Sequence, residues 1–144
     1  MEKNRGKKEY RLPSDLAEVH KASENVLEFL KPLGLSEASQ FDVRLCLEEA
    51  LINAMKYGNR FRKELEVRLA VEFDPKELRL TVEDQGPGFD VRGLKDCTEK
   101  ENLLRTHGRG VYLIHQLMDR VQYNTKGNGV VMTKYLDRHD AHGQ

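Results

Sequence analysis

Two neighbouring runs constrain this chain most. Glu66-Val-Arg-Leu-Ala-Val-Glu-Phe73 and Glu77-Leu-Arg-Leu-Thr-Val-Glu83 both alternate polar and apolar residues, the period of a strand with one buried face. Asp74-Pro75-Lys76 lies between them as a turn, so the pair predicts an antiparallel hairpin. A hairpin of this kind needs a second layer to cover its apolar side, and the rest of the chain supplies helical candidates.

Pro13-Ser14-Asp15 signals a helix start, with Ser14 or Asp15 available to cap the first free amides of the helix. Leu16, Val19, Ala22, Val26, Leu27 and Leu30 then recur at helical spacing, and Pro32 and Gly34 end the run. Ser36-Glu-Ala-Ser39 opens a second helix, expected to continue to Tyr57 and to stop at Gly58-Asn59. Residues 90–107 are polar without a sustained period and read as a long mobile loop, a length that in compact domains usually has a function. Gly110 to Val121 is expected to be helical, with Val111, Ile114, Leu117, Met118 and Val121 on one face; Gly127-Asn-Gly129 turns into a last strand, Val130 to Leu136. The N-terminal segment reads as a loose end or short edge strand leading into Tyr10-Arg-Leu12. The expected fold is α+β, a two-layer sandwich of a mixed, mainly antiparallel sheet backed by helices. Residues 1–9 form a flexible end, 10–136 one domain and 137–144 a flexible tail in this reading.

Composition narrows the function. The 144 residues hold 24 basic and 24 acidic side chains, and this neutral balance argues against a dedicated nucleic-acid or anionic-membrane binder. No apolar run approaches the roughly 18 residues of a membrane-spanning helix, and the basic N-terminus lacks the apolar stretch of a signal peptide. A cytosolic chain is expected. Cys46 and Cys97 lack metal-ligand spacing and read as reduced thiols.

The second helix carries the first chemical motif. Val43, Leu47, Ala50, Leu51 and Ala54 fall on one face, Phe41, Leu45, Ile52 and Met55 roughly opposite. Between them runs a polar stripe of Asp42, Cys46, Glu49, Asn53 and Lys56. Glu49 and Asn53 are i,i+4 neighbours. Such a pair also occurs on solvated helix edges. On a helix apolar along both flanks, however, a buried polar stripe needs partners, and a metal with phosphate would supply them. Asn53 offers a neutral oxygen to Mg²⁺, and Glu49 can accept a proton from a hydroxyl or water. Glu48 sits on the less polar side and is the poorer candidate.

Two glycine loops complete the set. Asp84-Gln-Gly86-Pro-Gly88-Phe89 comes directly after a strand. It lacks the acidic spacing of a calcium loop and the third glycine of a dinucleotide fingerprint. It is either a plain tight turn or a place where Asp84 accepts a hydrogen bond from an exocyclic amine such as that of adenine, with Gly86 and Gly88 allowing close approach of a flat ligand. His107-Gly108-Arg109-Gly110 precedes a helix, where free amides favour an anion. Arg105, Arg109 and Lys56 are the nearest cations. Together the motifs hold the groups an ATP site requires.

With these residues in hand, the chain resembles the ATPase superfamily of gyrase, Hsp90, histidine kinases and MutL, and within it the small bacterial anti-sigma factor serine kinases. Glu49-Ala-Leu-Ile-Asn53-Ala-Met-Lys56-Tyr57 is similar to the N-box. The two glycine boxes resemble Asp84 to Phe89 and Gly108-Arg109-Gly110-Val-Tyr-Leu-Ile114, and Glu101-Asn-Leu-Leu-Arg105 resembles the short lid. The resemblance implies ATP and Mg²⁺ held between helices and lid. Glu49 would be general base, Asn53 the metal ligand, Asp84 the adenine reader, Gly86 and Gly88 the walls of the base site, and the amides of Gly108 to Gly110 the phosphate cradle. It also implies a serine on an anti-anti-sigma (STAS-domain) protein as substrate, a sigma factor as second partner, and a homodimer. The chain departs from the family pattern in two places: Val130 comes after Gly129 where a threonine is usual, and Ser23 falls near the position of an arginine that contacts sigma, with Lys21 the nearest cation. A different class of function remains open, a binding module that senses ATP or ADP and sequesters a partner without transferring phosphate.

Overall fold

The computed structural model describes residues 5–86, 111–124 and 126–136. The hairpin stands where its alternation places it: β2 spans Glu66–Phe73 and β3 spans Glu77–Glu83, antiparallel, with Leu69 opposite Val82. Asp74 shapes the turn by accepting from the amides of Lys76 at 2.7 Å and Glu77 at 3.0 Å, and these bonds hold its carboxyl below the ordinary carboxylate range. β1, Gly6–Pro13, pairs with β2 as the edge strand. The last strand of the chain, here β5, Gly129–Tyr135, joins the other side of β3.

The third helix is shorter than its apolar spacing suggests. Among the described residues it covers 111–117, and Arg120–Tyr123 is instead a strand, β4, with Val121 opposite Met132. Val121 fits the helical face of Ile114 and Met118 by spacing, but Asp119 breaks the helix. Its amide donates to Thr133 O at 2.9 Å and its carboxylate accepts from the Tyr135 amide at 2.7 Å, which turns the chain onto β5. The sheet order is therefore β1-β2-β3-β5-β4, and every pairing among the described residues is antiparallel.

One face of this sheet is apolar. Val67, Leu69, Val71, Leu78, Leu80 and Met132 are fully buried beneath the helices. α1, Ala17–Phe29, contributes Val19, Ala22 and Val26; α2, Glu37–Asn53, contributes Val43, Leu47 and Leu51; the helix at 111–117, α3, contributes Ile114. The other face carries a ladder of charges. Arg68 lies between Glu9 and Glu83, and Arg79 between Glu72 at 3.1 Å and Glu77 at 3.3 Å. This is the pattern of a sheet with one solvated side, and it completes the α+β two-layer sandwich.

Caps obey local chemistry. Asp15 accepts from the Ala17 amide at 3.0 Å to start α1, while Ser14 turns away and donates to Leu65 O at 2.7 Å. Ser36 accepts from Ser39 N at 3.1 Å to start α2. Gly34, after a short 3₁₀ turn at Lys31–Leu33, takes φ 60° and lets the chain reverse.

Among the described residues, one buried side-chain atom lacks a partner. The Tyr10 hydroxyl on β1 makes no hydrogen bond there, and burial raises the pKa of its phenol. An unpaired buried hydroxyl costs about 1–3 kcal/mol, so Tyr10→Phe is expected to raise the thermal unfolding midpoint. A lower midpoint would show that the hydroxyl is satisfied after all.

Candidate functional site

The site grows from the C-terminal end of α2. Ser36 caps the helix at one end; at the other the backbone widens through Ala54–Gly58, where the Asn59 amide donates to Ala54 O at 2.8 Å, an i→i+5 bond. A wide turn of this kind adds a residue to the helical repeat and rotates the side chains beyond it. That rotation explains why Met55, which spacing places on the far apolar side, is fully buried in the core. It also carries Lys56 out of line with Glu49 and Asn53. Lys56 is exposed, its Nζ 5.2 Å from the centre of the Tyr57 ring.

The polar stripe is narrower than the sequence suggests. Cys46 is fully buried, not part of a polar edge, and burial pushes its thiol up to about 12. Nor are both apolar flanks of α2 covered: Phe41 is 62% exposed, with Leu45 and Ile52 half-buried. The stripe that remains is Asp42, Glu49 and Asn53, all half-buried. Glu49 and Asn53 make no side-chain hydrogen bond or ion pair among the described residues.

Glu48, one residue earlier, is committed elsewhere. It accepts from the Ser23 hydroxyl and lies 3.6 Å from His20 Nδ1 and 4.0 Å from Arg44. Ser23 itself is fully buried between α1 and α2. Ser23, near which the resemblance implies a partner-contacting arginine, is thus a side chain that holds two helices together.

Asp84 sits just past the end of β3 and meets the end of α2. Its Oδ1 accepts from the Gly86 amide at 2.8 Å. Burial nevertheless dominates and raises its pKa above the ordinary carboxylate value, opposed by that bond. The packing here is close. A Cβ built on Gly58 would lie 2.2 Å from the Asp84 carboxyl, and one on Gly86 would lie 2.0 Å from Gly58 O. Both positions require glycine for that reason.

Three asparagines that motif spacing does not single out brace this corner. Asn59, 1% exposed, accepts from Gln85 N at 2.8 Å and donates to Ser14 Oγ at 2.9 Å and Glu66 O at 3.0 Å. Asn128 exchanges two bonds with Asp84: Asp84 N donates to Asn128 O at 2.8 Å, and Asn128 Nδ2 donates to Asp84 O at 3.0 Å. Asn124 orders the turn around Asn128 through bonds of 2.7 Å and 3.0 Å. For Asn59 and Asn128 the only sequence signal is a place beside glycines, which reads as a turn, and Asn124 stands three residues before Gly127. Val130, beyond Gly129, pairs with Val82 and Tyr123 and packs at the edge of the core.

Glu49, Asn53, Asp84 and Gly86 are thus carried by one continuous piece of structure, the end of α2 against the end of β3. Gly88, Arg105, Gly108, Arg109 and Gly110, with the proposed lid, lie outside the described residues. A separate cavity of about 260 Å³ between Glu24, Leu27, Leu35 and Arg44 sits toward the N-terminal half of α2, away from this corner.

The donor set fits a metal carried in with phosphate. No group of three or more His, Cys, Asp or Glu suited to a metal ion occurs among the described residues, so a closed protein cage is absent there. A single amide oxygen on Asn53, without another partner among those residues, matches Mg²⁺, which keeps several waters and shares phosphate oxygens.

Fold and sequence together define the class. The family model for the histidine kinase-like ATPase domain matches residues 12–134, and the chain belongs to that family. Among relatives, it is 31% identical over 111 residues to the serine-protein kinase RsbW of Listeria monocytogenes serovar 1/2a, covering 72% of this chain and 71% of that protein. It is 28% identical over 138 residues to the serine-protein kinase RsbW of Staphylococcus epidermidis, covering 90% of this chain and 87% of that protein. No helix among the described residues is long and apolar enough to cross a membrane.

Proposed function

We propose that this protein is an ATP- and Mg²⁺-dependent serine kinase that works as an anti-sigma factor in a partner-switching pathway, within a domain that ends near residue 136. The domain begins not at residue 10 but with β1 at Gly6, which belongs to the sheet and not to a flexible end. One observation carries the reading most: Glu49 and Asn53, unpartnered among the described residues, stand on the same helix that ends against the half-buried Asp84 carboxyl. The names of the RsbW relatives support the reaction class.

Each residue has a distinct task in this reading. Asp84 accepts a hydrogen bond from the exocyclic amine of adenine, while Gly86 and Gly88 let the backbone approach the base. Asn53 holds the metal, which when bound neutralises phosphate charge. The amides of Gly108 to Gly110, with Arg105, Arg109 and Lys56 as nearby cations, hold the phosphates. Glu49 takes the proton of the substrate serine as its oxygen attacks the γ-phosphorus and ADP departs. The substrate is a STAS-domain anti-anti-sigma protein, and a sigma factor competes for the kinase, which acts as a cytoplasmic homodimer.

The alternative, an ATP or ADP sensor that sequesters a partner without transfer, needs no base at Glu49. Incubation with ATP-Mg²⁺ and STAS-domain proteins from the same genome separates the two. Phosphate on a serine of one of them is expected. Nucleotide binding without transfer to any of them would favour the sensor.

A further inference from the structure

We infer that Asn59 is the positioning residue for base selection, acting on the Asp84 loop through the main chain of Gln85. The inference rests on the reading of Asp84 as the adenine contact and extends it to a side chain that touches no nucleotide.

The geometry is a closed ring of hydrogen bonds. Asn59 Nδ2 donates to Glu66 O at 3.0 Å, Glu66 N donates to Gln85 Oε1 at 2.6 Å, and Gln85 N donates to Asn59 Oδ1 at 2.8 Å. The ring ties the end of α2, the start of β2 and the residue after Asp84 into one unit. A second Nδ2 bond, to Ser14 Oγ at 2.9 Å, anchors it to the approach to α1. With both amide hydrogens donated and Oδ1 occupied, the buried Asn59 side chain has one orientation that satisfies it.

That orientation sets the Asp84 carboxyl. Asn128 pins the Asp84 backbone from the β4–β5 side, and Asn59 pins Gln85 from the α2 side. Between those two pins the Gly86 amide is brought to 2.8 Å from Asp84 Oδ1, which leaves Oδ2 as the oxygen free of that bond. Packing of Gly58 and Gly86 against the same carboxyl removes the slack. Without the Asn59 bond, the main chain of Gln85 is released; the turn keeps its Asn128 pin and the side-chain bond from Glu66 N to Gln85 Oε1, and the carboxyl can rotate away from an exocyclic amine. Hydrogen-bond selectivity depends on such placement, because a donor or acceptor held off its partner contributes little.

The test compares ATP with purine riboside triphosphate, which lacks the exocyclic amine, by direct titration of the full chain. Wild type is expected to prefer ATP by about tenfold or more, the equivalent of one well-placed hydrogen bond. Asn59→Ala is expected to reduce that preference to about threefold or less, by weakening ATP more than the analogue. Asn59→Ser, too short to reach both Gln85 and Glu66 but still polar, is expected to do the same if the alanine variant does not fold. Ser14→Ala removes a buried partner of Asn59 on the side away from Gln85, and is expected to lower the unfolding midpoint with the preference intact. Equal weakening of both nucleotides in the Asn59 variants, or loss of preference in Ser14→Ala as well, would reduce Asn59 to a structural role and overturn the inference. A wild-type chain that binds ATP and the analogue equally would instead remove the Asp84 reading, and the inference with it.

Discussion

Asp84→Asn is expected to weaken ATP binding by about 10- to 100-fold, the equivalent of about 1.5–3 kcal/mol for a hydrogen bond to a charged group, while making the nucleotide-free protein more stable at neutral pH. The two effects have one origin. Burial against Gly58 raises the Asp84 pKa, so the folded chain holds this proton more tightly than the unfolded chain. Between the ordinary carboxylate value and the raised one, the native state binds more protons, and stability falls as pH rises through that window. The loss is complete once the pH lies above the raised value. Asparagine keeps the shape, and its oxygen still accepts from the Gly86 amide, but no charge is buried. Thermal unfolding without nucleotide, run on wild type and variant across the acid range, should show curves that converge at low pH and separate as pH rises. Parallel curves would show that Asp84 carries no buried charge.

Glu49→Gln is expected to lower phosphoryl transfer by about 10²–10⁴-fold, the range of a lost general base, with ATP affinity within about threefold of wild type. Glu49 has no partner among the described residues, so the substitution breaks no hydrogen bond there and leaves the helix intact. Glu48 provides the internal contrast. It is engaged with Ser23, His20 and Arg44, and Glu48→Gln is expected to alter stability without touching transfer. Single-turnover rates at saturating ATP distinguish the two carboxylates. Equal loss in both variants would mean that the α1–α2 contact, and not a base at Glu49, supports the reaction.

Local chemistry was legible in the sequence wherever one interaction dominates. The alternation from Glu66 to Phe73 and from Glu77 to Glu83 matches β2 and β3 end to end, because only one register buries Leu69, Leu80 and Val82 together. Ser36 reads as a cap because the α2 amides need an acceptor, and it is one. A change of backbone state leaves no mark on the period. The wide turn at Ala54–Gly58 moves Met55 into the core and Lys56 off the polar stripe, and β4 hides in the helical phase of Val121. Burial of Cys46 was equally invisible, since a small sulfur side chain suits either a polar edge or a core. Of the candidate site, spacing singles out Glu49, Asn53, Asp84 and Gly86, which the fold carries at the end of α2 and the end of β3. Asn59 and Asn128 are not singled out, because their work is done across the chain, on Gln85 and Asp84, and beside a glycine an asparagine reads only as a turn.

A crystal structure with a non-hydrolysable ATP analogue and Mn²⁺ in place of Mg²⁺ tests most directly whether α2 and the Asp84 corner form one nucleotide site. The expected result is the exocyclic amine of adenine within hydrogen-bond distance of the Asp84 carboxyl and the anomalous manganese peak on Asn53 Oδ1. Nucleotide bound elsewhere, for instance between Glu24 and Arg44, with Asp84 and Asn53 both untouched, would contradict it.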